Sequence, residues 1–315
     1  MMRIHRIRRR LAFALVLVPV TMISIGFGQA SPAASEDTAT KATVKAEGTV
    51  RFGDRVRLRG EFPDSARAEV AILHRSAGEG SFSRVASTRT GAGGRWTTRV
   101  KPRRTGDWRA QLASSEPADP LTAESERDSV SDSERIRVRS VTKVVPTKRD
   151  VIAGSEVEIR GQVLPAGQRD VLVDLGGQIE RAHANKNGRF ALDLRVPDTG
   201  THRVSAEAKG NRDASGSKDA GGTVTAYRYA QASWYGPGLY GNRTACGQTL
   251  TPSTRGVAHK ALPCGTKLSI RHGSREVHVR VIDRGPYVGN REFDLTSATK
   301  EDLGFSGTGR ILVDR

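Results

Sequence analysis

Residues 44–227 alternate apolar and polar side chains in short runs punctuated by Gly, Asp, Asn and Pro, and they do so twice. Gly53-Asp54-Arg55-Val56-Arg57-Leu58-Arg59-Gly60 matches Gly154-Ser155-Glu156-Val157-Glu158-Ile159-Arg160-Gly161 at an offset of 101, and Val70 and Ile72 fall on Val171 and Val173. Further on, Gly94-Arg95-Trp96 matches Gly188-Arg189-Phe190, and Thr105-Gly106 matches Thr199-Gly200, now at an offset of 94. One loop is therefore shorter in the second copy. Period-two alternation is the pattern of half-buried strands, and a long internal repeat means one architecture used twice. Two copies of about seven short strands predict two immunoglobulin-like β-sandwiches, over residues 44–142 and 143–228. Trp96 and Phe190, each in an alternating strand, are expected to plug the space between sheets. Neither copy contains a cysteine or a catalytic constellation. Spacing or adhesion is their expected job.

The flanks concern destination. Arg3, Arg6, Arg8, Arg9 and Arg10 precede an apolar run over residues 11–27, which ends at Gly28-Gln29-Ala30. That is the pattern of a secretory signal over residues 1–30. The run also approaches membrane-spanning length, so an uncleaved anchor is the competing expectation and the only expected membrane contact. Residues 31–43 are rich in Ala, Ser and Thr and read as a flexible tether. A secreted or cell-wall location follows. The net charge of +17 calls for a polyanionic partner, and export argues against nucleic acid. A monomer without cofactor is expected.

Residues 229–315 change character. Trp, Tyr, His, Gly and Pro concentrate here, together with the only cysteines, Cys246 and Cys264. In an exported chain two thiols most simply form one disulfide, the alternative being two free buried thiols. They do not complete a zinc shell, and no metal is expected. Strands are expected at 267–271, 277–282 and 310–313, with a helix over 296–303 stopped by Gly304. Short strands with many glycines suggest a small closed barrel.

Several motifs then run in register: Ala232-Ser233-Trp234-Tyr235-Gly236, Thr244-Ala245, Ala258-His259-Lys260, Leu262-Pro263, Gly265-Thr266, Asp283-Arg284-Gly285-Pro286 and Phe293-Asp294-Leu295. With these the module resembles the rare lipoprotein A (RlpA)-like family of double-psi β-barrels. The resemblance implies a six-stranded barrel and action on peptidoglycan glycan strands or other anionic wall polymers. It implies a lytic transglycosylase that cleaves the MurNAc-GlcNAc bond, in which the muramic acid 6-hydroxyl attacks and leaves a 1,6-anhydro end. Such a reaction needs an acid to protonate the leaving oxygen and passes through an oxocarbenium-like state.

Asp283 ends an apolar strand beside a Gly-Pro turn, where partial burial suits a general acid/base. The structural alternative is a turn cap. His259 is expected to hydrogen-bond Asp283 or the sugar, and Asp294 to be a second groove carboxylate or a helix N-cap. Trp234, Tyr235 and Tyr240 are expected to stack on sugar, with Gln248 and Arg284 as further substrate contacts. One departure stands out. Where catalytic members of the resembled family commonly carry Glu and, three residues on, Asp, this chain has Gln248 and Thr251. A non-catalytic, expansin-like module that binds or loosens the wall is therefore the alternative, and the disulfide would be a subfamily staple of the groove loop.

Overall fold

The computed structural model describes residues 43–113 and 129–315. The expected signal segment and all but the last residue of the expected tether lie outside the described residues. The first repeat contributes β1 (Thr43–Lys45), β2 (Thr49–Arg51), β3 (Val56–Glu61), β4 (Glu69–Ser76), β5 (Ser83–Arg89), β6 (Arg95–Val100), β7 (Gly106–Leu112) and β8 (Glu134–Arg139). They form a three-stranded sheet, β1-β3-β6, and a five-stranded sheet, β2-β8-β7-β4-β5. The second repeat runs through β9 (Val141–Pro146), β10 (Asp150–Ile152), β11 (Glu156–Leu164), β12 (Arg169–Leu175), β13 (Gln178–Ala184), β14 (Arg189–Arg195), β15 (Gly200–Ala208) and the long β16 (Ser217–Tyr235). It repeats the plan: β9-β11-β14 is one sheet, and β13-β12-β15-β16 with β10 beside β16 is the other. Each sandwich thus has eight strands, one more than expected. The extra ones are the three-residue β2 and β10, which add to β8 and β16 in parallel.

Alternation makes the cores. Val56 and Leu58 point inward while Arg57 and Arg59 face solvent, and Val157 and Ile159 repeat this in the second copy. Trp96 and Phe190 are buried at 4% and 5% exposure, which makes them inter-sheet plugs. Their cross-strand partners explain two repeated glycines. Gly60 pairs with Trp96 and Gly161 with Phe190. A methyl group on either glycine would strike the facing ring and the neighbouring strand's backbone. The ring occupies the volume a side chain would need.

Strand β16 runs without a break through the module boundary expected at residues 228 and 229. Its first half closes the second sandwich and its second half opens the barrel. Residues 209–222 have the Gly/Ser/Lys-rich composition of a loop, yet the chain is strand from Ser217 onward. Register against β15 satisfies its backbone across a bulge at Val204/Ser205, which outweighs the low strand propensity of Gly and Ser.

The remaining elements are β17 (Val257–His259), β18 (Lys267–His272), β19 (Arg275–Asp283), β20 (Phe293–Thr296), α1 (Ser297–Leu303) and β21 (Gly309–Val313). Pairings β16–β20, β20–β17, β17–β19, β19–β18, β18–β21 and β21–β16 close a six-stranded ring. Its interior holds Ala232, Val257, Ile270, Phe293, Leu295 and Val313, among others. Helix α1 starts on Thr296, whose hydroxyl accepts from Thr299 N, and stops at Gly304 in the left-handed region. Among the described residues no helix is long and apolar enough to cross a membrane.

Candidate functional site

Strand register sets four residues in a row across the barrel wall. Ser233 on β16 pairs with Asp294 on β20, Asp294 with Ala258 on β17, and Ala258 with Asp283 on β19. Paired residues share a sheet face. Their chain neighbours Ala232, Leu295 and Val257 point into the core, so this row lies on the outer wall. Asp283 reaches it through a bulge. Val281 pairs with Val257 and is buried, and simple alternation would turn Asp283 the same way. One extra residue, Ile282, is accommodated there and packs over Gly256, so Asp283 emerges on the wall.

The two carboxylates are held differently. Asp283 Oδ1 accepts the backbone N–H groups of Ala245 and Arg284, both at 2.8 Å. Asp294 Oδ1 accepts the Ser233 hydroxyl at 2.6 Å, and Arg291 Nη1 donates to that hydroxyl oxygen at 2.9 Å. Burial raises the Asp294 carboxyl above its ordinary range. The Ser233 hydrogen bond and the Arg291 charge oppose that shift, while the Asp283 charge adds to it. The Asp283 charge on the same face thus disfavours the ionised form of Asp294. Tyr235, two residues beyond Ser233 on the same strand, completes the group. Burial first, then Asp283 and Asp294, push its phenol up. Its buried hydroxyl has no hydrogen-bond partner among the described residues.

Several expected site residues have protein contacts of their own. His259 lies one residue past Ala258, so alternation turns it away from the carboxylate row and onto Phe293, 4.8 Å between ring centroids. Its Nδ1 accepts from Ala261 N and Leu262 N, which places the ring proton on Nε2, 3.4 Å from Glu292. The expected contact to Asp283 is replaced by a His259–Glu292–Arg228 chain. Arg228 clasps Glu292 through both nitrogens, at 2.9 and 2.5 Å. That bond, ahead of the opposing effect of burial, holds the Glu292 carboxyl below its usual range, and His259 helps. Arg284, expected on substrate, spends Nη1 on the carbonyls of His259 and Leu262 and braces that loop. Trp234 shares the face of Ala232, packs against the core and carries the Lys300 ammonium 4.3 Å over its ring. Asp294 is not the helix cap, since Thr296 is.

Tyr240 is 37% exposed and donates to Ser297 Oγ above Gly236, at the Tyr235 end of the row. Gln248 is exposed, and its backbone carbonyl closes a turn with Thr244 N. Thr251 bonds to Ser253 and Thr254 in the same loop. This loop is tied at Asp283 by Ala245 N and next to it by the Cys246–Cys264 disulfide, Cα–Cα 5.7 Å. The sequence gives no site role to Ser233, Arg291, Glu292 or Tyr287. Tyr287, 76% exposed just past the Gly-Pro turn, had a usable signal as an aromatic in a Gly/Pro loop beside the candidate acid. The other three are visible only through cross-strand neighbours. Among the described residues no group of three or more His, Cys, Asp or Glu is placed to hold a metal ion.

The family model and the matches of under 100 residues fall in length on a segment the size of this module. A family model described as lytic transglycolase matches residues 228–314. The probable endolytic peptidoglycan transglycosylase RlpA of Synechocystis sp. is 37% identical over 96 residues, which is 29% of this chain and 30% of that protein. The endolytic peptidoglycan transglycosylase RlpA of Campylobacter jejuni is 42% identical over 87 residues, 26% of this chain and 32% of that protein. The protein of that name from Pseudomonas aeruginosa strain UCBPP-PA14 is 38% identical over 146 residues, 44% of this chain and 43% of that protein. The matched region thus spans less than half the length of these relatives. The C-terminal module is RlpA-like. Among solved structures the D0-D1 domain of Intimin aligns with 59% of the chain at 15% identity and a TM-score of 0.23, too distant to carry an argument.

Proposed function

We propose that the barrel is a lytic transglycosylase module that acts on peptidoglycan glycan strands of the cell wall, with Asp283 and Asp294 as its chemical centre. The observation that carries this reading is the outer row, where two carboxylates and a buried phenol share one face. The role first expected of Asp283 alone divides between the pair. Asp294, whose burial keeps the proton bound to higher pH, donates to the glycosidic oxygen. As the C1–O bond breaks, Asp283 faces the positive charge that grows on the sugar. The 6-hydroxyl oxygen of the same muramic residue then bonds to C1, and its proton passes to the Asp294 carboxylate, which restores the acid. No water is consumed. Tyr240 and the exposed Tyr287 are suited to meet sugar faces at the two sides of the row. Glycan strands as substrate are consistent with an exported, wall-associated protein.

A second reading is binding or loosening without cleavage. Gln248 and Thr251 favour it, because neither supplies the carboxyl that the resembled enzymes carry there. Digestion of purified glycan strands, followed by mass spectrometry, decides between them. The first reading expects 1,6-anhydro ends that vanish in Asp294→Asn and Asp283→Asn. Binding without new ends in the unaltered protein establishes the second. Anhydro ends that persist in both variants remove this pair from the chemistry.

A further inference from the structure

We propose that the outer face of the first sandwich's three-stranded sheet binds a linear polyol-phosphate polymer, a chain of phosphodiesters without bases. Lys45, Arg57, Arg59 and Arg99 all face solvent there, and register sets like charges opposite each other: Arg57 pairs with Arg99 and Lys45 with Arg59. Directly opposed like charges destabilise a sheet. None of these four, nor Arg55 beside them, has an ion-pair partner among the described residues. They line a hollow of about 520 Å³ in which Glu47 is the one acid. Arg99 also borders a second hollow, of about 460 Å³, whose rim adds Lys101, Arg103 and Arg104. The basic surface therefore continues past the sheet.

The second sandwich is an internal control. In the same register Lys45 corresponds to Val145, Arg55 to Glu156, Arg57 to Glu158, Arg59 to Arg160 and Arg99 to Asp193. There Arg160 is paired with Glu158 at 2.7 Å. The fold accepts acids at these positions, so the fold itself does not require the first sandwich's cations. An anionic partner accounts for them.

The side chains select its chemistry. Arginine forks bind phosphate oxygens in pairs. Arg57 and Arg59 stand roughly 6.8 Å apart along β3, and Arg55 immediately precedes that strand. That ladder fits a narrow, flexible chain with an ionised group in every unit better than carboxylates separated by bulky rings. The face carries no aromatic side chain on which bases would stack, which argues against single-stranded nucleic acid. Nothing here depends on whether the barrel cleaves glycan.

The test is binding of poly(glycerol phosphate) to the full chain, followed by calorimetry at several salt concentrations. Arg57→Glu with Arg99→Asp installs the pair that the second sandwich carries at Glu158 and Asp193. Arg189→Glu with Arg195→Glu makes the same charge change on the second sandwich, and melting curves check that both variants fold. The first variant is expected to weaken binding at least tenfold near 0.15 M salt. Its slope of log affinity against log salt should shrink by about 1.5, at roughly 0.7–0.9 per lost contact. The control is expected to stay within twofold. Equal weakening by both variants overturns the proposal, because net charge alone would then be responsible. Tighter binding of polygalacturonate or of a single-stranded oligonucleotide also overturns it.

Discussion

On the proposed reading Asp283 has two separable jobs, and two substitutions pull them apart. Its Oδ1 accepts two backbone N–H groups, from Ala245 and Arg284, and so clamps the disulfide-bearing loop to the end of β19. Its charge faces the outer wall beside Asp294. Asp283→Ala removes both. A hydrogen bond to a charged acceptor contributes about 1.5–3 kcal/mol, and water at these half-exposed sites leaves about 1 kcal/mol for each. Alanine therefore costs about 2 kcal/mol. Asn keeps an acceptor oxygen in the same place and costs about 1 kcal/mol or less. For a unit of 60–100 residues 1 kcal/mol shifts Tm by about 4–8 °C. The barrel transition should thus fall by about 8–16 °C in Asp283→Ala and by less than half of that in Asp283→Asn. Activity on glycan strands should separate differently, with both variants losing at least ~100-fold if the charge stabilises the transition state. The assays are thermal melting by near-ultraviolet circular dichroism and release of anhydro ends. An Ala variant that melts with the unaltered protein refutes the clamp. An Asn variant with full activity refutes the electrostatic role and leaves Asp283 as a structural cap.

Asp294 and Glu292 should move stability with pH in opposite directions. The raised Asp294 carboxyl favours the fold below its ordinary value of 3.8 and loses that contribution as pH rises through its folded value. Asp294→Asn should therefore gain Tm relative to the unaltered protein as pH rises, and a gain that shrinks instead would contradict the burial argument. The lowered Glu292 carboxyl stabilises above 4.5 and loses its contribution as pH falls, so Glu292→Gln should destabilise at neutral pH and converge with the unaltered protein in acid. Reducing the Cys246–Cys264 bond, which spans a separation of 18 residues, should cost about 3 kcal/mol by loop closure; a urea midpoint unmoved by reductant would refute this. Gly161→Ala should cost about 3 kcal/mol or more in the second sandwich, because its methyl group meets the Phe190 ring and lies 2.6 Å from Lys143 O; soluble variant with unchanged hydrogen-exchange protection in β11 would contradict it. Tyr287→Ala should raise KM for glycan strands several-fold with little change in Tm, since the ring is 76% exposed; an unchanged KM removes it from the groove.

Local pattern carried much of the fold. The repeat at Gly53–Gly60 and Gly154–Gly161 announced two copies of one sandwich, because period-two burial is written directly into alternating residues. Trp96 and Phe190 were legible as core for the same reason, and helix α1 was marked by its Gly304 stop. The first half of β16 is not legible in the sequence, because Gly221 and Gly222 look like a loop until β15 is beside them. The motifs also located the barrel's candidate acids without showing how its residues divide. His259 and Trp234 sit one position from wall-facing residues, and a one-residue step in a strand reverses the face.

The sequence by itself determined the β architecture, the RlpA-like module and the short inventory of ionisable groups from which a site had to be drawn. Only the tertiary structure decided which of them meet. Asp283, Ala258, Asp294 and Ser233 come from four strands far apart in the chain, and the bulge at Ile282 turns Asp283 outward. The same register opposes Arg57 to Arg99 in one sandwich and Glu158 to Asp193 in the other. Strand pairing joins residues by distance in space, and side-chain alternation is local, so the first is hidden in a linear chain and the second is not.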